Sequence, residues 1–303
     1  LERFIFDLSK YKLDRIPNLT KISNLYGLNM SFNSLTYLNI SSNLINEQNI
    51  EVLDFSFNQI KFIERYFFAR MIRLKKLFLN YNLLVHIEKL IFKSNNLSLL
   101  DFKRNKLESF NEIVFRAEPS SKLEIYLDFN LLKNWPVFKG LVKFINSLSI
   151  SNQNNEFLTR KSLLPKQLLP NINYLNLSNN SLYSFNMIIY EIIKETKPYL
   201  LDLSLNRYEL YSYCFMKNMI IINSTLIMFS ERKFYSNKQQ INSSTWISSD
   251  SLEEFCNRNV LNQNNFWQYL FEILFVLPST EHFVFFLFFL IILVILWIVQ
   301  LNF

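Results

Sequence analysis

Four aspartates are the side chains of this sequence best placed to do chemistry together. They occupy outward-facing positions of the predicted strands in different copies of a sequence repeat: Asp54, Asp101, Asp128 and Asp202. Carboxylates on neighbouring strands, about 4.8 Å apart, can raise each other's pKa or bind a cation. Basic side chains at Lys76, Lys103 and Arg104 offset their charge. We therefore interpret the aspartates as solvated neighbours and predict no metal site and no acid/base pair.

The sequence also lacks the residues that other kinds of catalytic site require. Two cysteines and two histidines are too few for Cys/His zinc sites or for Cys–His nucleophilic catalysis. Two glycines cannot form a Gly-rich phosphate loop. The formal charge is +7, but its Lys and Arg residues are scattered, so no nucleic-acid specificity is inferred. We expect no enzymatic activity and no cofactor.

The elements that would position these side chains follow from an internal repeat. The stretch LKKLFLNYNLLVHI (residues 74–87) fits the template L-x-x-L-x-L-x-x-N-x-L-x-x-L, with Asn82 at the Asn position. Equivalent positions recur with spacings of 22 to 27 residues, at residues 11, 33, 58, 82, 105, 130, 153, 180 and 206. Asn43 also fits, but Asn33 keeps the phase and is preferred. A period near 24 predicts a repeat array.

The repeat predicts its own architecture. Each L-x-L segment is a short strand with leucines pointing inward, and successive strands stack into a parallel sheet. The buried asparagines satisfy their amides by bonding the main chain of neighbouring repeats. Phenylalanines ten residues after the asparagine fill the opposite, convex side: Phe68, Phe92 and Phe115. Only the stacked array buries enough apolar surface to be stable.

This pattern resembles the leucine-rich repeat family, over residues 1–208. The late phenylalanine is similar to that of the subclass found in extracellular animal receptors. The resemblance implies an α/β leucine-rich repeat solenoid, with a curved parallel sheet on the concave face and an irregular or helical convex side.

Outward-facing strand residues are the candidate ligand-binding surface. Aromatic residues and Arg are enriched at binding hot spots, and they concentrate in the middle repeats. The predicted set is Lys76, Phe78, Tyr81, Lys103, Arg104, Tyr126 and Phe129. The alternative is that these are ordinary surface residues of a Phe-rich chain.

Residues 209–268 follow the repeats and are expected to cap the array. They resemble the cysteine-rich C-terminal flank of extracellular leucine-rich repeat proteins, although only two cysteines occur here. The resemblance implies a disulfide between Cys214 and Cys256. Two unrelated buried thiols are the alternative.

Residues 283–303 are uncharged over their whole length. As a helix they would reach about 31 Å, enough to span the hydrocarbon core of a bilayer. We therefore predict one transmembrane helix at 283–303, a juxtamembrane segment at 269–282, and repeats outside a cell membrane. A removable lipid-anchor signal is disfavoured because no small-residue triad lies upstream. Glycosylation is predicted at Asn96, Asn223 and Asn242, each within an Asn-x-Ser/Thr sequon.

Repeats, cap and span occur in the order seen in Toll-like receptors, which this sequence resembles. That resemblance implies a receptor that binds a protein or microbial ligand in innate immune recognition and pairs as a homo- or heterodimer. The family pattern continues into a cytoplasmic TIR domain, which these residues do not contain. The alternative is therefore a tail-less adhesion or structural protein that does not signal.

Overall fold

A computed structural model describes residues 4–19, 21–22, 25–39, 47–153, 157, 169–182, 187–206, 226–229 and 245–247. Within them lie one 3₁₀ helix (Glu47–Asn49), one α-helix, α1 (Met187–Thr196), and eighteen strands. The strands are β1 (Phe4–Asp7), β2 (Leu25–Asn29), β3 (Tyr37–Leu38), β4 (Val52–Asp54), β5 (Phe62–Ile63), β6 (Lys76–Phe78), β7 (His86–Ile87), β8 (Leu90–Phe92), β9 (Leu99–Asp101), β10 (Ser109–Phe110), β11 (Ile113–Phe115), β12 (Glu124–Tyr126), β13 (Phe138–Gly140), β14 (Phe144–Ser149), β15 (Asn171–Asn176), β16 (Leu200–Asp202), β17 (Leu226–Phe229) and β18 (Thr245–Ile247).

One long sheet organises the molecule as a parallel β-solenoid of about seven turns. Its strand order is β1-β2-β4-β6-β9-β12-β14-β15-β16-β17-β18. Every neighbouring pair is parallel except β17 and β18, which run antiparallel. The last two strands fall in the segment predicted to be the cap, and they continue the same sheet.

The strand register places one leucine-type side chain from each repeat on the inner face. Leu53 pairs with Leu77, Leu77 with Leu100, and the row continues through Ile125 and Leu148. All five are fully buried. The inward leucines of the template therefore form the core, as the repeat predicts.

The asparagine at the end of each strand forms a continuous ladder between repeats. Asn82 accepts a hydrogen bond from the Ile60 N–H at 2.9 Å and donates to the Phe55 carbonyl at 2.9 Å, both in the preceding repeat. It also donates to the Leu79 carbonyl of its own repeat at 3.1 Å. The same pattern recurs at Asn33, Asn58, Asn105, Asn130, Asn180 and Asn206. Both the predicted ladder and the choice of Asn33 are confirmed.

Gln153 stands in one rung of the ladder without breaking it. Its carbonyl oxygen accepts from the Leu132 N–H at 3.1 Å, and its amide nitrogen donates to the Leu127 carbonyl at 2.8 Å. The longer side chain therefore makes the same two kinds of bond as the asparagines.

Three predicted phenylalanines form the convex side of the core. The rings of Phe68, Phe92 and Phe115 are buried and stack in sequence, with centroids 5.6 and 6.0 Å apart. Phe92 and Phe115 end β8 and β11, which pair in parallel with each other, and β13 extends this small sheet.

The expected α/β class is wrong. Among the described residues the only α-helix has ten residues, and the convex side of the middle repeats carries short parallel strands instead of helices. Repeats near 24 residues leave little chain for a helix after the concave strand and its turn. Their convex segments are also rich in β-branched and aromatic residues, which favour strands. The α-helix of the described residues, α1, lies in a longer, 26-residue repeat between Asn180 and Asn206.

The predicted membrane span also has to be corrected. No helix among the described residues is long and apolar enough to cross a membrane. The segment predicted to do so, 283–303, lies outside the described residues. The expected single-pass localisation in a cell membrane, with its contact to a lipid bilayer, is therefore not supported and is not retained.

Candidate ligand-binding surface

The residue before each ladder position has a left-handed backbone. Its φ lies between 51° and 65° in nine successive copies: Lys10, Phe32, Phe57, Tyr81, Arg104, Phe129, Asn152, Asn179 and Leu205. No glycine occupies this position, although left-handed backbone costs an L-residue roughly 1–2 kcal/mol. A main-chain bond to the next repeat accompanies it, as where the Tyr81 N–H donates to the Lys103 carbonyl at 2.9 Å. The turn therefore directs one side chain per repeat along the same edge of the concave sheet.

Six of these side chains form a continuous stack, which we call the edge stack: Lys10, Phe32, Phe57, Tyr81, Arg104 and Phe129. The Phe32 and Phe57 rings stack at 4.3 Å with planes 5° apart, and Phe57 and Tyr81 stack at 4.3 Å with planes 13° apart. Arg104 lies over the Tyr81 ring at 5.3 Å and over the Phe129 ring at 4.2 Å. Lys10 lies over Phe32 at 5.6 Å. All six remain exposed to solvent.

Beside the edge stack, the strands present a second group of predicted residues. Lys76 and Phe78 lie on β6, and Phe78 is in register with Asp54 and Asp101. Lys103 Nζ lies 3.9 Å from the centre of the Tyr126 ring. The structure thus brings the seven predicted residues onto three consecutive repeats of one surface.

Tyr126 is held by its own strand. Its hydroxyl donates to the Glu124 carboxylate at 2.9 Å. Burial, followed by that hydrogen bond and the nearby negative charges, raises the pKa of Tyr126 to about 12. The phenol is therefore a neutral hydrogen-bonding group at physiological pH.

The aspartates differ in environment. Burial raises the pKa of Asp101, while the Lys103 N–H, which donates to its Oδ1 at 3.0 Å, acts against the rise. The Asp54 Oδ1 accepts from the Ser56 N–H at 2.8 Å and from its hydroxyl at 2.6 Å. Each of these carboxylates therefore caps the turn that follows its strand.

Asp202 is buried and is not the solvated neighbour that the sequence predicts, and the same is true of Asp128. The Oδ1 of Asp128 accepts hydrogen bonds from the Ser149 hydroxyl, the Ser151 N–H and the Ser151 hydroxyl, the last at 2.7 Å. The residue that pairs with Asp101 on the next strand is Tyr126. Asp128 therefore lies two residues beyond the strand position that Asp101 occupies. It joins two repeats as a structural acceptor. No group of three or more possible metal ligands occurs among the described residues.

Beyond Asp128 the surface is rich in hydroxyl groups, and most of them are buried. Ser147, Ser149 and Ser151 are buried, and the Asn176 amide donates to the Ser149 hydroxyl at 2.9 Å. Burial, together with Asp202, raises the pKa of Tyr174 to about 12. These groups bond mainly to each other, so the exposed functional groups lie in the earlier repeats.

Phe32 and Phe57 extend the surface but are absent from the predicted set. The signal available in the sequence was the position itself, since Tyr81, Arg104 and Phe129 also directly precede a ladder residue. The sequence alone does not show that these side chains point the same way and stack.

The remaining predicted sites are divided between described and undescribed residues. Asn96 is exposed, and the hydroxyl of Ser98 in its sequon donates to the Lys75 carbonyl at 3.1 Å. Cys214, Cys256, Asn223 and Asn242 lie outside the described residues.

No known family model matches this chain, and no curated protein is significantly similar to it. The repeat and its exposed surface are therefore the features of this chain that bear on its function.

Proposed function

We propose that this chain is a leucine-rich repeat recognition protein that binds a protein or microbial ligand on its concave surface. The template residues, the asparagine ladder and the parallel sheet support the family. The resemblance to Toll-like receptor ectodomains supports a role in innate immune recognition, with a receptor homo- or heterodimer as the assembly.

The observation that carries the proposal is the edge stack with its neighbours Lys76, Phe78, Lys103 and Tyr126. Large aromatic side chains usually bury their apolar area, yet Phe32, Phe57, Tyr81 and Phe129 each expose 37% or more. Contiguous exposed apolar surface on a folded protein marks an interaction site. These rings are also immobilised by stacking, so binding costs little side-chain entropy.

The test compares ligand capture by the full chain and by a Tyr81→Ala/Tyr126→Ala variant. Both are probed against arrayed extracellular proteins and microbial surface polymers. Ligands bound through this surface are expected to lose roughly tenfold to hundredfold in affinity on the variant, as for hot-spot aromatics.

A matched control carries Tyr37→Ala and Tyr66→Ala, two exposed tyrosines outside this surface. The control is expected to bind as the wild type does, and circular dichroism is expected to show that all three proteins are folded. Capture that survives in the Tyr81→Ala/Tyr126→Ala variant would refute recognition at this surface and would favour a structural or adhesion role.

A further inference from the structure

Arg104 is the only cationic residue of the edge stack that has an aromatic ring on each side. Its guanidinium carbon lies 5.3 Å from the Tyr81 ring centre and 4.2 Å from that of Phe129. These two rings are 42% and 43% exposed, so the cleft between them opens to solvent. Arg104 forms no salt bridge and no side-chain hydrogen bond within the described part of the chain.

No carboxylate of the described residues forms a salt bridge with this arginine. Asp128 Oδ1 is occupied by the hydroxyls of Ser149 and Ser151, and Asp101 Oδ1 accepts from the Lys103 N–H. Lys103 and Lys106 add two cations on either side of Arg104 in the sequence, and neither forms an ion pair with the described residues. The guanidinium N–H groups of Arg104 are therefore available to an external anion.

The geometry of the cleft favours one class of anion. A guanidinium between two ring faces is orientationally restricted before any ligand binds, and its planar N–H fork matches a carboxylate in two parallel hydrogen bonds. We expect a planar carboxylate to approach in the plane of the guanidinium, with both of its oxygens accepting from the N–H fork. Tetrahedral phosphate or sulfate would carry oxygens out of that plane, towards the rings.

We propose that Tyr81, Arg104 and Phe129 form a carboxylate-binding cleft that takes an Asp or Glu side chain from an extended acidic segment of a protein ligand. This inference rests on the proposed function, because it names the chemistry that the same surface recognises. Lys103 and Lys106 attract the acidic residues that flank the bound carboxylate.

The test uses the full chain and a fluorescent peptide of alternating Gly and Glu residues, with binding followed by anisotropy. The matched peptide replaces each Glu by Gln. Wild-type protein is expected to bind the Glu peptide at least tenfold more tightly than the Gln peptide. Arg104→Lys keeps the charge but loses the planar fork, so it is expected to weaken binding of the Glu peptide about tenfold.

Arg65→Lys is the matched control, since Arg65 lies over one ring only, Tyr66 at 5.1 Å, outside the edge stack. It is expected to bind as the wild type does. Sodium acetate is expected to displace the peptide at lower concentration than inorganic phosphate at equal ionic strength.

Three results would overturn the proposal: no binding of the Glu peptide by wild type, equal binding of the Gln peptide, or equal binding by the Arg104→Lys variant. Preferential displacement by phosphate would also overturn it, because it would assign the cleft to a tetrahedral anion. The probe has no aromatic or aliphatic side chains, so its result is separable from the proposed function. Binding of the Glu peptide by the wild type, together with ligand capture that survives in Tyr81→Ala/Tyr126→Ala, would refute the proposed function and leave the cleft standing. Loss of ligand capture in that variant, with no binding of the Glu peptide by the wild type, would do the opposite.

Discussion

At the scale of single residues, the asparagine at the end of each strand connects sequence to stability. Asn82 is buried, and its side chain supplies the acceptor for one main-chain N–H and the donor for main-chain carbonyls in two repeats. A hydrophobic side chain of similar size would leave those groups unpaired. Each such buried group costs about 1–3 kcal/mol.

Replacing Asn82 by alanine is therefore expected to lower the free energy of unfolding by roughly 2–4 kcal/mol. The change removes partners from both the Ile60 N–H and the Phe55 carbonyl. Urea denaturation followed by circular dichroism measures it. Asn95→Ala is the control, because Asn95 is exposed and lies outside the ladder. Equal unfolding midpoints for the two variants would contradict the role assigned to the ladder.

At the scale of elements, the convex side depends on a close approach between two short strands. Gly140 ends β13, has φ of 89°, and lies beside Phe115 of β11. A Cβ at this position would overlap the Phe115 carbonyl oxygen and would also be strained by the positive φ. The strand pair therefore requires glycine here, which explains one of only two glycines in the chain.

Gly140→Ala is expected to destabilise the protein by about 1–3 kcal/mol, through overlap and backbone strain together. The other glycine supplies the comparison. A Cβ at Gly27 would lie 3.0 Å from Cγ1 of Ile5, a side chain that can move. Gly27→Ala is expected to cost less than about 1 kcal/mol. Thermal melts of both variants decide the matter, and a lower melting temperature for Gly27→Ala than for Gly140→Ala would be inconsistent with the proposed packing.

At the scale of the whole molecule, contacts in the principal sheet run between consecutive concave strands only. Stability in such an array is close to a sum over repeats and their interfaces. If one complete repeat is removed, the repeats on either side of it can therefore form an interface of the same kind as those that were lost.

Deletion of residues 59–82, one 24-residue period, is expected to give a folded protein with reduced stability. It joins Asn58 to Leu83, so the template continues in phase. Deletion of residues 59–70 is the control: it breaks the phase and is expected to abolish cooperative unfolding. The far-ultraviolet spectrum and the sharpness of the thermal transition distinguish the two. A cooperative transition in the 59–70 deletion, or none in the 59–82 deletion, would argue against the repeat boundaries.

The sequence predicted those parts of the structure that depend on periodic chemistry. Inward leucines, the ladder asparagines and the stacked Phe68, Phe92 and Phe115 all follow from residue type and spacing. The buried position of Asp128 could not be predicted, because its partners Ser149 and Ser151 come from the next repeat. The convex strands were also missed, because the resemblance implied an irregular or helical convex side, whereas short segments such as Leu90–Phe92 pair as strands. Stacking in the edge stack depends on a left-handed turn that Phe, Tyr and Arg rarely adopt.

The left-handed turn has a consequence for how such a molecule can change over evolutionary time. The nine side chains there include aromatic, basic, amide and aliphatic types, yet the backbone keeps one conformation at all nine. At eight of the nine positions, all but Leu205, the main-chain N–H donates to a carbonyl of the next repeat, so the turn is held by the backbone whichever of these side chains it carries. Substitutions at these nine positions therefore change the binding surface and keep the fold. The same nine codons can be randomised together in an engineered library.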